Sequence, residues 1–178
     1  MPPLVKYHSA VPQRLNPNLY EDGKVCLSLL GTWSGPGWTP TSTVLQVLTS
    51  IQGLVLVEDP FFNEPGYEKS SGTAEGRQNA RQYNENARLL SLRSTVNLVR
   101  RPPAGMEAVV ADHLKARGAA VVARAEREIA EAVGAAGGGG GGAAAGPSEG
   151  YIRMLGRLLP TLRSRLGGAR RAGGAGGQ

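Results

Sequence analysis

Asn16-Pro17-Asn18-Leu19-Tyr20-Glu21-Asp22-Gly23-Lys24-Val25-Cys26-Leu27-Ser28 is the stretch on which the fold turns. It sets the single cysteine of the chain eight residues after an asparagine. Residues Val11 to Lys24 are rich in Pro, Asn, Asp and Gly, which predicts a long structured loop. Val25 to Leu30 is a short apolar run, a strand or a buried extended segment. Alone, a cysteine between Val25 and Leu27 reads as a small buried hydrophobe. No Ser/His/Asp arrangement is evident. His8 and His113 with one cysteine make a poor ligand set, so no metal and no cofactor are expected. As a nucleophile, Cys26 would lack an evident histidine partner. That points away from cysteine proteases and toward chemistry in which an already activated acyl group arrives.

Upstream, Pro2 to His8 turns into an alternating run and predicts a short strand. Downstream, Gly31 to Trp38 reads as a loop. A helix is predicted from near Pro40, with Thr39 as N-cap. Val44, Leu45, Leu48, Ile51 and Val55 would form its buried face. Asp59-Pro60 ends the region, and Phe61 to Gly72 is a second loop. A second helix is predicted from about Thr73 to Val99. Arg101-Pro102-Pro103 stops it, because proline disfavours helix in the residue before it. A third is expected from Gly105 to Arg117, ending at Gly118.

Beyond Gly118 the composition shifts to Ala, Gly and Arg. Ala119 to Val133 reads as an Ala-rich helix, Gly137 to Gly142 as a flexible linker. Tyr151 to Leu166 is amphipathic but interrupted by Pro160, and is expected to be disordered on its own. The organisation predicted is a folded domain over residues 1–118 and a largely disordered low-complexity tail over 119–178.

The formal net charge is +6. Met1 to Arg117 carries +2 of it and Gly118 to Gln178 carries +4, so the basicity belongs mostly to the tail. A single aromatic residue, Tyr151, stands among the tail arginines, short of what a stacking platform would require, which argues against nucleic acid as a partner. One cysteine allows no intramolecular disulfide and fits a reducing compartment. No secretory signal and no run of about 20 apolar residues is evident, so no membrane partner is expected. The expected location is cytoplasmic, nuclear or both.

Several motifs together resemble the ubiquitin-conjugating enzyme family. Asn16-Pro17-Asn18 with Gly23, Val25, Cys26, Leu27 and Ser28 resembles that family's His-Pro-Asn to Cys-Leu-Ser signature. Trp33-Ser34 resembles its Trp-Ser-Pro loop, and Thr49-Ser50-Ile51-Gln52 with Leu54 the helix after it. Asp59-Pro60 and Glu64-Pro65 match its acidic-proline loop, and Pro2-Pro3-Leu4-Val5 the strand before its active site. Gly31-Thr32-Trp33-Ser34-Gly35 and Phe61-Phe62-Asn63-Glu64-Pro65-Gly66-Tyr67-Glu68 look most like the large hybrid members that combine conjugating and ligase roles.

The resemblance implies an α+β fold: a partial ubiquitin-conjugating fold with the strand, the active-site loop and the following helices. The family's N-terminal helix and first strands would be absent, an N-terminal truncation. It implies that Cys26 carries ubiquitin as a thioester and that Asn18 donates to the carbonyl oxygen. Glu64 would position the incoming lysine and take its proton, with Asp59 as the alternative. Asn16, where the family usually has histidine, would support the loop. Trp33 would pack in the core beside the active-site segment. Tyr20 and Trp38 would be placed to line the approach to Cys26. The implied partners are ubiquitin, the ubiquitin-activating enzyme, substrate lysines and a ubiquitin ligase. The competing expectation is a fragment that cannot be charged and serves as a ubiquitin-pathway binding or adaptor protein.

Overall fold

The computed structural model describes residues 1–137 and 146–167. The contacts divide the chain into a unit from Met1 to Leu90 and a second beginning at Ser91.

In the first unit the N-terminal run alternates as a half-buried strand should. Val5 and Tyr7 pack on the core, while Leu4, Lys6 and His8 face outward. It pairs only through an isolated bridge, Lys6 with Lys24. The Tyr7 N–H donates to the Gly23 carbonyl at 2.8 Å. The helical elements dominate; β pairing among the described residues consists of isolated bridges.

Residues 18–26 fold out and back as a tight antiparallel turn. Leu19 bridges Val25, and the Tyr20 N–H donates to the Lys24 carbonyl at 2.9 Å. Asp22 Oδ1 accepts the Lys24 N–H at 2.9 Å, the local bond that makes Asp a turn former. Gly23 follows at φ 95°. A Cβ there would lie 2.7 Å from the Lys6 side chain and 2.9 Å from the Tyr7 carbonyl, so only glycine lets the N-terminal run approach. Leu19 and Val25 point into a core completed by Leu27, Leu30, Val47 and Val55, with Trp38, Leu29 and Ile51 packed against it.

Helix α1 is Val44–Ser50. It begins four residues later than the Thr39 and Pro40 signals predicted. Thr43 and Gln46 form a reciprocal capping box, which satisfies two otherwise orphaned backbone N–H groups and outcompetes the earlier start. A wide π turn, Ile51–Val55, continues it. The buried stripe is Val47, Ile51 and Val55. Val44, Leu45 and Leu48, expected inside, are 60–68% exposed. Two apolar stripes compete on this segment, and the contacts with the turn select the one spaced four residues apart.

After 3-10 turns at Pro60–Asn63 and Tyr67–Ser70, α2 runs from Ala74 to Arg100, within a residue of its predicted span. Phe61 sits at the centre of an aromatic group, with ring centroids 5.3 Å from Phe62, 4.7 Å from Tyr67 and 6.0 Å from Tyr83.

In the second unit α3, Glu107–Gly137, passes through Gly118 instead of ending there. Helix α4, Glu149–Leu166, starts at Ser148, whose side chain accepts the Tyr151 N–H. The two helices run antiparallel. Tyr151 Oη donates to Glu128 near one end, and Gly118 meets Leu166 at the other. A Cβ on Gly118 would come 2.6 Å from the Leu166 carbonyl oxygen. Gly118 is therefore a docking point and not a stop. Val122 and Ala125 on α3, and Tyr151, Leu155, Leu162 and Leu166 on α4, are buried. Residues 119–137 and 149–166, expected in a disordered tail, are thus helical: α4 buries its apolar stripe on α3. Helix α4 also continues through Pro160. Proline leaves the Gly156 carbonyl without its helical donor, and both residues are exposed, so water can replace it. From residue 138 the glycine run expected as a linker, and Arg170 and Arg171 of the basic tail, lie outside the described residues. No helix among the described residues is long and apolar enough to cross a membrane.

Candidate active site

The antiparallel turn sets Asn18 directly opposite Cys26. The Cys26 N–H donates to the Asn18 carbonyl at 2.8 Å, and Asn18 Nδ2 donates to the Cys26 carbonyl at 3.0 Å. This cross-strand pair is the physical content of the eight-residue spacing. Thr32 holds the flanking peptide groups: its hydroxyl accepts the Leu27 N–H at 3.0 Å and donates to the Val25 carbonyl at 2.5 Å. Each backbone group from the Val25 carbonyl to the Leu27 N–H has a partner, so the backbone that carries the thiol is fixed. Cys26 is a free cysteine, 2% exposed.

Asn18 is held in turn. Its N–H donates to Asn16 Oδ1 at 2.8 Å, and its Oδ1 accepts from Asn63 Nδ2 at 3.1 Å. Asn16 Nδ2 reaches the Val55 carbonyl at 2.7 Å, and Asn63 Nδ2 the Leu54 carbonyl at 2.9 Å. Those two carbonyls lie at the end of the π turn, where a helix leaves acceptors without intrahelical donors. The end of the helical segment and the loop opposite Cys26 are thereby tied by two asparagines. An amide nitrogen carries two hydrogens. The second hydrogen on Asn18 Nδ2 has no partner among the described residues.

Glu64 follows Asn63 and forms an ion pair with Arg14, Oε2 to Nη2, at 3.0 Å, each side chain about a third exposed. The Arg14 guanidinium also bonds the Pro17 carbonyl and, at 3.3 Å, the Asn16 carbonyl. It lies 4.1 Å over the Tyr20 ring. Burial pushes the Tyr83 phenol above its ordinary range; Arg14 pulls it down and Glu64 pushes it up. Asp59 accepts from Asn84 Nδ2 at 2.6 Å. No group of three or more His, Cys, Asp or Glu among the described residues could hold a metal ion.

The family model for ubiquitin-conjugating enzymes matches residues 1–91, which contain the whole of this arrangement. The chain belongs to the ubiquitin-conjugating enzyme family. It is 54% identical over 122 residues to probable ubiquitin-conjugating enzyme E2 23 of Arabidopsis thaliana, covering 66% of this chain and 11% of that protein. It is 45% identical over 165 residues to probable ubiquitin-conjugating enzyme E2 24 of the same plant, covering 90% of this chain and 18% of that protein. To the dual E2 ubiquitin-conjugating enzyme/E3 ubiquitin-protein ligase BIRC6 of Homo sapiens it is 43% identical over 137 residues, or 73% of this chain and 3% of that protein. The chain thus spans a small part of the length of these relatives.

Of the residues expected to act, Asn18 and Cys26 are brought into direct contact. Glu64 is linked to them through Asn63 and through Arg14. Within this family's motif Asn16 supports the loop, as expected. Trp38, not Trp33, packs on the core cluster. Tyr20 stacks under Arg14. Sequence reasoning did not single out Arg14, Thr32 or Asn63. Thr32 and Asn63 lay inside motifs already quoted for the resemblance; Arg14 carried no signal, since its partner is 50 residues away.

Proposed function

We propose that this chain carries the acyl-transfer centre of a ubiquitin-conjugating transferase, with Cys26 as the thioester-forming residue. The reading rests on one observation: Cys26 and Asn18 are locked as a pair with a spare amide hydrogen on Asn18. In the first step Cys26 Sγ, as thiolate, attacks the activated ubiquitin C-terminus delivered by the activating enzyme, and the activating group leaves. In the second, a substrate lysine amine attacks the thioester carbonyl. Negative charge develops on the carbonyl oxygen, where the Asn18 amide would donate. The C–S bond then breaks and Cys26 leaves as thiolate. The lysine has a free pKa of ~10.4 and must lose a proton; Glu64 is the acceptor. A working thiol fits a reducing compartment, the cytoplasm or nucleus.

One observation favours a second reading. Cys26 is 2% exposed, and a thiol sealed from solvent accepts no acyl group. On that reading the chain is a ubiquitin-pathway binding or adaptor segment that is not charged. Incubation of the full chain with activating enzyme, ATP and ubiquitin separates the two. The transferase reading expects a thiol-reducible adduct that is absent in Cys26→Ala. It also expects Asn18→Ala and Glu64→Ala to slow discharge to lysine more than charging, with removal of an oxyanion donor costing roughly 100- to 1000-fold. Ubiquitin binding without any reducible adduct would establish the adaptor instead.

A further inference from the structure

The Arg14 side chain touches three separate parts of the site. Its guanidinium bonds the Asn16 and Pro17 carbonyls of the loop that carries Asn18. It covers the Tyr20 ring at the start of the turn leading to Cys26. It also holds Glu64, across 50 residues of sequence. Only Glu64 Oε2 is engaged; Oε1 has no partner among the described residues. A guanidinium suits this arrangement because its donors are fixed in one plane and always charged, so one group can bond two backbone carbonyls and a carboxylate together.

We infer that Arg14 is a positioning residue for lysine discharge: it fixes the Glu64 carboxylate against the Asn18 loop and leaves Oε1 free for the incoming amine. Without the clamp, the Glu64 carboxylate would lose its direction. This inference rests on the transferase reading above and deepens it. Arg14 touches neither thioester nor lysine. It acts through Glu64, so its loss should matter only where a proton must be taken from the nucleophile.

The test is single-turnover discharge of the ubiquitin-charged full chain to two nucleophiles. Free lysine is protonated at neutral pH and needs a base; hydroxylamine is already unprotonated and needs none. For Arg14→Ala, charging and hydroxylamine discharge should stay within about 2-fold of wild type. Lysine discharge should fall about 10-fold, part of the roughly 100- to 10,000-fold that a positioned acid or base supplies. Arg14→Lys keeps the charge but not the fork, and should lie between. In a Glu64→Ala background Arg14→Ala should add less than about 2-fold, because the two act as a unit. Equal slowing with lysine and hydroxylamine would show that Arg14 merely supports the loop, and would overturn the inference. So would wild-type lysine discharge in Arg14→Ala, or loss of charging in both Arg14 variants. A wild-type chain that is never charged would overturn the transferase reading itself, and this inference with it.

Discussion

Thr32→Val removes one hydroxyl and almost nothing else. The two side chains have the same shape, so the change isolates the bonds of that hydroxyl: Leu27 N–H to Thr32 Oγ1 at 3.0 Å, Thr32 Oγ1 to the Val25 carbonyl at 2.5 Å, and a longer contact at 3.2 Å to the Leu27 carbonyl, which keeps the Leu30 N–H as donor. Val25 and Leu27 are both buried. In the variant the Leu27 N–H and the Val25 carbonyl would lose these partners. An orphaned buried group costs ~1–3 kcal/mol. Thr32 is half-buried, so water reaches part of the gap and the lower end applies. Two groups at that end give about 2 kcal/mol. With a urea dependence of ~1–3 kcal/mol/M, the unfolding midpoint should fall by about 1 M. Both tryptophans, Trp33 and Trp38, lie in the first unit, so their fluorescence reports that unit alone. Thr32→Ser keeps the hydroxyl and should cost less than Thr32→Val. Trapping of the buried Cys26 thiol by an alkylating reagent gives a second reading. If it needs the same opening, 2 kcal/mol speeds it about 30-fold. A Thr32→Val unfolding free energy within about 0.5 kcal/mol of wild type, with Thr32→Ser less stable than both, would refute the role assigned to this hydroxyl.

Gly118→Ala sets two effects against each other. Alanine favours an isolated helix by ~1 kcal/mol, but a Cβ 2.6 Å from the Leu166 carbonyl must push α4 away. The clash should win, with amide exchange in α4 accelerating while α3 stays helical by circular dichroism; unchanged α4 protection would refute the close approach. Tyr83, with its phenol raised by burial, should make stability fall in alkali. Above pH ~10 the unfolded chain releases this proton first, so the folded state binds more protons and loses stability as pH rises through its own higher value. Denaturant midpoints between neutral pH and strong alkali should show that decline, and Tyr83→Phe should lessen it; equal slopes in both proteins would exclude Tyr83 as its source.

Much of this protein was legible as local signals. The family resemblance linked Asn18 with Cys26, and the physical basis of their spacing is a turn with Asp22 and Gly23 at its tip that returns the chain in a fixed register. The α2 span could be read from its apolar period and from the prolines beyond Arg101, since both act over a few residues. The start of α1 was misplaced: Thr39 and Pro40 signalled a cap, but the Thr43–Gln46 capping box starts the helix four residues later. Sequence periodicity alone could not choose between the two apolar stripes of α1, because the choice depends on where Leu19 and Val25 stand in space. Tertiary structure alone decided that Asn16 and Asn63 close the end of the π turn. It alone brought Arg14 to Glu64, Thr32 around the Cys26 peptide, and α4 onto Gly118. Except for Thr32, these contacts join residues far apart in sequence. The polar ones need a donor and an acceptor placed within about 3 Å, and Gly118 needs a helix brought close enough to exclude a Cβ; composition and period encode neither, and only the packed chain satisfies them.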